Sequence, residues 1–166
     1  MKLKGVIVED FCNYKKASMF LIFPNCSFKC DKDCGRAVCQ NSVLANEPII
    51  NVSYETIEGL FLDNNITESI VCGGLEPFDS WDDLITLILN IRYRSNCDIV
   101  IYTGYNKEEI SKDKLKTLAC YGDDGPIIIK WGRFIPDRPS RYDEVLGVTL
   151  ASDNQYAERL TWESLK

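Results

Sequence analysis

Short runs of apolar residues alternate along this chain with longer stretches in which apolar side chains recur every three or four positions. The runs at residues 5–8 (GVIV), 19–23 (MFLIF), 68–74 (ESIVCGG), 98–104 (DIVIYTG), 126–131 (PIIIKW) and 145–150 (VLGVTL) are β-branched or apolar and end in Gly, Pro or polar residues. They read as strands. Three helices fit between them. Ser53 is the N-cap of SYETIEGLFLDNN. Ser80, with Asp83 three residues on, resembles a capping box opening SWDDLITLILNIRYR, in which Leu84, Ile85, Leu87, Ile88 and Ile91 form a broad apolar face. The third helical stretch opens at Asn106 and Glu109, runs to about Gly122 and is broken near its middle. Strand and helix in alternation predict an α/β fold with a mostly parallel sheet and crossover helices. No repeat or linker interrupts the pattern, so residues 1–166 are expected to form a single domain. In such sheets ligands gather at the carboxyl ends of the strands. The unusual segments sit there: a cysteine loop, CGGLEPF, TGY and LASDNQ.

Composition narrows the chemistry. A chain of 166 residues can bury a core without covalent help, and 45% hydrophobic with 27% charged residues is ordinary for a water-soluble domain. The net charge of −6 argues against a nucleic-acid partner, and no apolar run is long enough to span a bilayer. MKLKGVIVEDF lacks the features of a signal peptide, so a cytoplasmic location is expected. In that reducing compartment the eight cysteines point to metal or redox work rather than to disulfides. The chain contains no histidine. Histidine-based acid–base catalysis, Cys-His and Ser-His nucleophiles and His-containing zinc sites are therefore excluded, and any metal must sit on thiolates or carboxylates.

Four cysteines fall within CSFKCDKDCGRAVCQN: Cys26, Cys30, Cys34 and Cys39. Zinc cages commonly use separated C-x2-C pairs, which this run lacks, whereas iron–sulfur clusters accept closely spaced cysteines from one loop. The spacing favours a cluster over zinc, and zinc over metal-free thiols. The scattered Cys12, Cys72, Cys97 and Cys120 read as small hydrophobic residues of the core.

FPNCSFKC, Cys39-Gln40-Asn41, GGLEP, YTGY and IIIKWGRF follow one another in the order found in the radical S-adenosylmethionine superfamily. The chain most resembles the small activating proteins of anaerobic ribonucleotide reductase, over nearly its whole length, including the tail ASDNQ. The resemblance implies an incomplete (β/α) barrel with a 4Fe-4S cluster held by three cysteines and S-adenosylmethionine on the remaining iron. The partner it implies is a glycyl radical enzyme, anaerobic ribonucleotide reductase, with flavodoxin or ferredoxin as electron donor. Cys26 and Cys30 match the family's first two ligands, but Asp33 stands where the third is expected. Cys39, preceded by apolar Val38 and followed by Asn41, is favoured as the third ligand, with Cys34 the competitor. By the same resemblance Gly73, Gly74 and Glu76 dock the cofactor's amino acid end. Thr103, Gly104 and Tyr105 wall its ribose and adenine, and Asn41 adjoins it. Asn154 and Gln155 border either cofactor or partner. Outside the resemblance, GGLEP reads first as a strand-end turn, TGY equally as a turn or a site, and WGRFIPDRPSRYDE as a solvated loop or an interface. A radical enzyme acting on another substrate, or a non-catalytic zinc-binding module, are the alternatives.

Overall fold

The structure, a computed structural model, describes residues 1–165. In chain order the strands and helices are β1 (Lys2–Leu3), β2 (Gly5–Asp10), β3 (Ser18–Phe23), α1 (Lys29–Cys34), β4 (Ile50–Asn51), α2 (Tyr54–Leu62), β5 (Ser69–Gly74), α3 (Trp81–Arg94), β6 (Asp98–Tyr102), α4 (Lys112–Gly122), β7 (Ile127–Trp131), β8 (Arg141–Asp143), β9 (Val148–Leu150) and β10 (Tyr156–Arg159). Six of the strands form one sheet in the order β10-β7-β6-β5-β3-β2. The four in the middle are parallel, and each neighbouring pair is joined through α2, α3 or α4. The two edge strands run antiparallel, and because β10 and β2 do not pair with each other the sheet is open rather than a closed barrel.

The parallel strands are buried on both faces, which is why they appear in sequence as continuous apolar runs instead of alternating ones. Met19, Leu21, Phe23, Ile70, Cys72, Ile99, Ile101, Ile127, Ile129 and Trp131 point to one face and meet the helices there. Leu84, Leu87, Ile88 and Ile91 of α3 recur at helical spacing and press onto that face. Val71, Val100 and Ile128 point the other way and pack with Tyr14, Leu146, Leu150 and Ala157. No described helix is long and apolar enough to cross a membrane.

Two local expectations change. VLGVTL does not join the sheet: it turns at Gly147 (φ 73°) and its second half pairs with β8 in a separate ribbon. The edge position beside β7 goes to YAER, β10, which carries no apolar run. Ser80 makes no capping bond to α3; its Oγ accepts from Asn25 instead, at 3.0 Å. Asp83 is likewise taken by distant partners, the Tyr54 hydroxyl at 2.8 Å and the Lys2 amide at 3.1 Å. Ser53 does cap α2, accepting from the Thr56 amide at 3.1 Å. The third helical stretch is broken as expected, into a turn at Lys107–Glu109 and then α4, capped by Ser111.

Arg92 ties the helical layer to the sheet. Its guanidinium, buried on α3, donates to the carbonyls of Tyr121 (3.0 Å), Cys97 (2.8 Å), Gly125 (3.1 Å) and Pro126 (3.2 Å). These lie at the end of α4 and at the turns leading into β6 and β7. An uncompensated group at any of them would bear a desolvation penalty. Arg92→Met is therefore expected to lower unfolding stability by about 1–3 kcal/mol, the cost of leaving buried carbonyl acceptors without their donor. Arg94→Met, removing an exposed partner of Glu58, should change it by at most about 1 kcal/mol. Urea denaturation of both variants provides the comparison.

Candidate iron–sulfur site

The site begins where β3 ends. Pro24 stops the strand, and the chain continues beside the end of β5: the Glu76 amide donates to the Asn25 carbonyl at 2.7 Å. Cys26 is thereby set next to Glu76. The residues that follow turn through Phe28, which takes a left-handed conformation (φ 52°) rare for a non-glycine residue. The turn brings the Phe28 amide within 3.2 Å of Cys26 Sγ, as a donor to it.

The expected open loop between Cys30 and Cys39 is in part a helix. α1 covers Lys29–Cys34 and stops at Gly35, whose left-handed conformation (φ 63°) forms the C-terminal cap. From there the chain returns. Asp31 Oδ1 accepts from the amides of both Val38 (2.7 Å) and Cys39 (2.8 Å), pinning Cys39 back against the start of the loop. Two residues on, Asn41 Nδ2 donates to the Gly74 carbonyl at 2.6 Å. The loop is thus closed on itself by Asp31 and fastened to β5 by Asn41.

Its outer side is held by charge. Arg133, just beyond β7, contacts Asp33 at 3.0 Å and Glu109 at 2.5 Å, and Lys29 reaches the same Glu109 oxygen at 2.9 Å. Asp33, in the position where the family pattern places a third cysteine, faces this network. Lys29 also lies over the Tyr105 ring, 4.5 Å from its centre.

The base of the site is Glu76, only 4% exposed. One of its oxygens accepts from the Thr103 hydroxyl (2.8 Å) and the Phe78 amide (3.1 Å), the other from the Gly104 amide (2.9 Å). Burial pushes its carboxyl up to about 7, against the pull of these donors. Asp79 accepts from the Ser27 amide (2.7 Å) and the Tyr105 hydroxyl (2.5 Å). Gly74 has φ 82°, and a Cβ there would come within 2.5 Å of Ile22, so only glycine fits at this strand end.

Above this base opens a pocket of about 450 Å³. Cys26, Cys30 and Cys39 all line it, as do Asn41, Gly74, Glu76, Thr103, Gly104 and Gln155. The four strand-end segments singled out in the sequence therefore meet at one place. Cys34 is not part of the lining, nor are Gly73, where a Cβ would meet the Phe20 ring at 3.0 Å, and Asn154, which donates to the Arg133 carbonyl at 2.8 Å. Tyr105 borders a small adjoining cleft with Cys26 and Cys30. Thr103 spends its hydroxyl on Glu76 and accepts from the Tyr105 amide at 3.0 Å. Of the scattered cysteines, Cys72 is fully buried as expected and Cys97 packs against the core. Cys12 and Cys120 are exposed rather than in the core, and Cys12 stands at the pocket's edge. Sequence reasoning passed over Asp31 and Lys130. Only Lys130, a charge inside IIIKW, carried a signal.

Burial raises the Cys26 thiol to about 11 and raises Cys30 as well, with the charge of Cys39 adding to both. Such thiols become ligands only when a metal supplies the free energy of deprotonation. Among the described residues no three Cys, Asp or Glu side chains converge on a single ion. A cubane binds each thiolate through a different iron, so it suits thiols that share a pocket without sharing one ion.

A family profile described as "4Fe-4S single cluster domain" matches residues 15–147. The chain belongs to that family. No curated protein and no solved structure matches it. Thiol chemistry and a common location in one pocket make Cys26, Cys30 and Cys39 a donor set compatible with such a cluster, and a 4Fe-4S domain is compatible with an oxidoreductase.

Glu109 offers a check on the loop's outer clamp. Its bond to Arg133, more than any other contact, holds its carboxyl down to about 2 from the ordinary 4.5. A depressed carboxylate contributes stability above its unfolded pKa and loses it as pH falls through the folded one. The stability gap between wild type and Glu109→Gln, measured on cluster-free protein by denaturant unfolding, should therefore be largest above about pH 4.5 and shrink steadily towards pH 2.

Proposed function

We propose that this 4Fe-4S domain is a radical S-adenosylmethionine enzyme of the small-activase type, which installs a glycyl radical on a large anaerobic partner. The order of its motifs resembles the activating proteins of anaerobic ribonucleotide reductase, and that reductase is the expected partner. One observation carries the reading: Cys26, Cys30 and Cys39 share a pocket with Gly74, Glu76, Thr103 and Gly104, and Cys34 does not. Cys26, Cys30 and Cys39 are then the ligands, with one iron free of protein thiolate. When bound, the cluster supplies the electron that splits S-adenosylmethionine into methionine and a 5′-deoxyadenosyl radical.

The chain's own residues position and shield. Glu76 lines the pocket, and its Oε2, which accepts one bond, can also accept from the substrate ammonium, a charge-assisted bond. The glycine backbone at Gly74 and Gly104 allows close approach. Phe20, Tyr102 and Leu44 contribute apolar lining, which limits water around a radical. Phe11 and Val43 adjoin the lining residues Cys12 and Leu44 in sequence and are 64% and 69% exposed. Such exposed apolar side chains are where a partner's loop would seat, with flavodoxin or ferredoxin as electron donor. The same chemistry directed at another protein or a small molecule is the second reading, favoured by Asp33 in place of the family's third cysteine.

Anaerobic reconstitution with iron and sulfide should give a brown protein that, once reduced, converts S-adenosylmethionine to 5′-deoxyadenosine and methionine. A colourless protein with stoichiometric zinc, or a brown one that leaves S-adenosylmethionine intact, would contradict the proposal. Cys39→Ser should lower turnover by more than about 100-fold, and Cys34→Ser by no more than about twofold, the contrast expected between a ligand and a bystander.

A further inference from the structure

Every residue of β7 is buried, and the strand is apolar except for Lys130. Its register places it between Tyr102 on β6 and Ala157 on β10. Ile128, two residues earlier, belongs to the sheet face away from the helices, and Lys130 continues that side into the pocket floor. The residue is 7% exposed. Its ammonium donates to the Gly132 carbonyl at 2.8 Å, and among the described residues it forms no ion pair. Burial pulls its pKa down to about 8, while the negative charges of Glu76 and Cys30 act in the opposite direction.

A buried ammonium without a carboxylate in contact is destabilising, and Met or Ile would continue the strand pattern without that penalty. What the site gains when filled is negative charge. A 4Fe-4S core with three thiolates carries one net negative charge when oxidised and two when reduced. Coulombic attraction to a fixed cation in a medium of low polarity grows with that second charge.

We propose that Lys130 is the buried countercharge of the cluster, raising its reduction potential by stabilising the reduced state. The cluster takes up one electron from a low-potential donor; Lys130 keeps its proton, and no covalent bond forms or breaks. This rests on the family's cluster and on its seat among Cys26, Cys30 and Cys39, and does not require the S-adenosylmethionine reading.

The test is a redox titration of anaerobically reconstituted wild type, Lys130→Met and Lys130→Arg, followed by the paramagnetic signal of the reduced cluster, with no S-adenosylmethionine added. At equal iron and sulfide content, K130M should show a midpoint potential more negative than wild type, and K130R should recover most of the difference. Coincident potentials for wild type and K130M overturn the proposal. A separate binding measurement in which such a K130M protein holds S-adenosylmethionine more weakly would then assign Lys130 to the ligand instead. Failure of both folded variants to take up the cluster also overturns the proposal, assigning Lys130 to assembly of the site; circular dichroism confirms the fold. Loss of S-adenosylmethionine cleavage in wild type would count against the proposed function and leave this comparison intact.

Discussion

The carboxylate of Glu76 is the bond on which the site depends. It lies in the turn after β5, yet its partners are Thr103 and Gly104 in the turn after β6. A single buried side chain therefore joins the ends of two adjacent parallel strands, and the amide of the same residue fixes the chain leaving a third, through the Asn25 carbonyl. Parallel strands have no hairpin to set the geometry of their ends. Asp79, accepting from Ser27 and Tyr105, adds a second link among the same three loops, but on the outer side of the site.

On that base the cysteine loop is held by polar bonds of different kinds. Asp31 closes it from within, Asn41 fastens it to Gly74, and Arg133 with Lys29 and Glu109 clamps its outer side. The helix α1 carries Cys30 and ends at Cys34, which it leaves out of the pocket lining, while Asp31 brings Cys39 back in. Lengthening a cysteine loop need not displace its last cysteine if the added residues form a turn of helix whose own side chain caps the return. Asp33, facing Arg133, then serves the clamp instead of the metal.

Much of this was legible in the residues because the determinants were local. The buried parallel strands show as apolar runs, the helices as three-and-four spacing, and the strand-end segments as glycine and polar residues at the points where apolar runs stop. What escaped was decided at a distance. Asp83 looks like half of a capping box, but Tyr54 and Lys2 occupy it. VLGVTL has strand composition, yet Gly147 turns the chain there, where a Cβ would press to 2.6 Å from Lys15. YAER has no apolar run because an edge strand needs only one buried side, and Ala157 supplies it. The exposure of Cys12 and Cys120 depends on which neighbours cover them, which spacing along the chain does not encode.

The central claim is a cluster with three protein thiolates and one iron left open to a small molecule. Mössbauer spectroscopy of protein reconstituted with iron-57 addresses it without reference to turnover. Three irons should share one set of parameters, and the fourth should differ and change its coordination when S-adenosylmethionine is added. Four irons of uniform thiolate character, unmoved by S-adenosylmethionine, would mean that a fourth cysteine closes the cage and that the account is wrong.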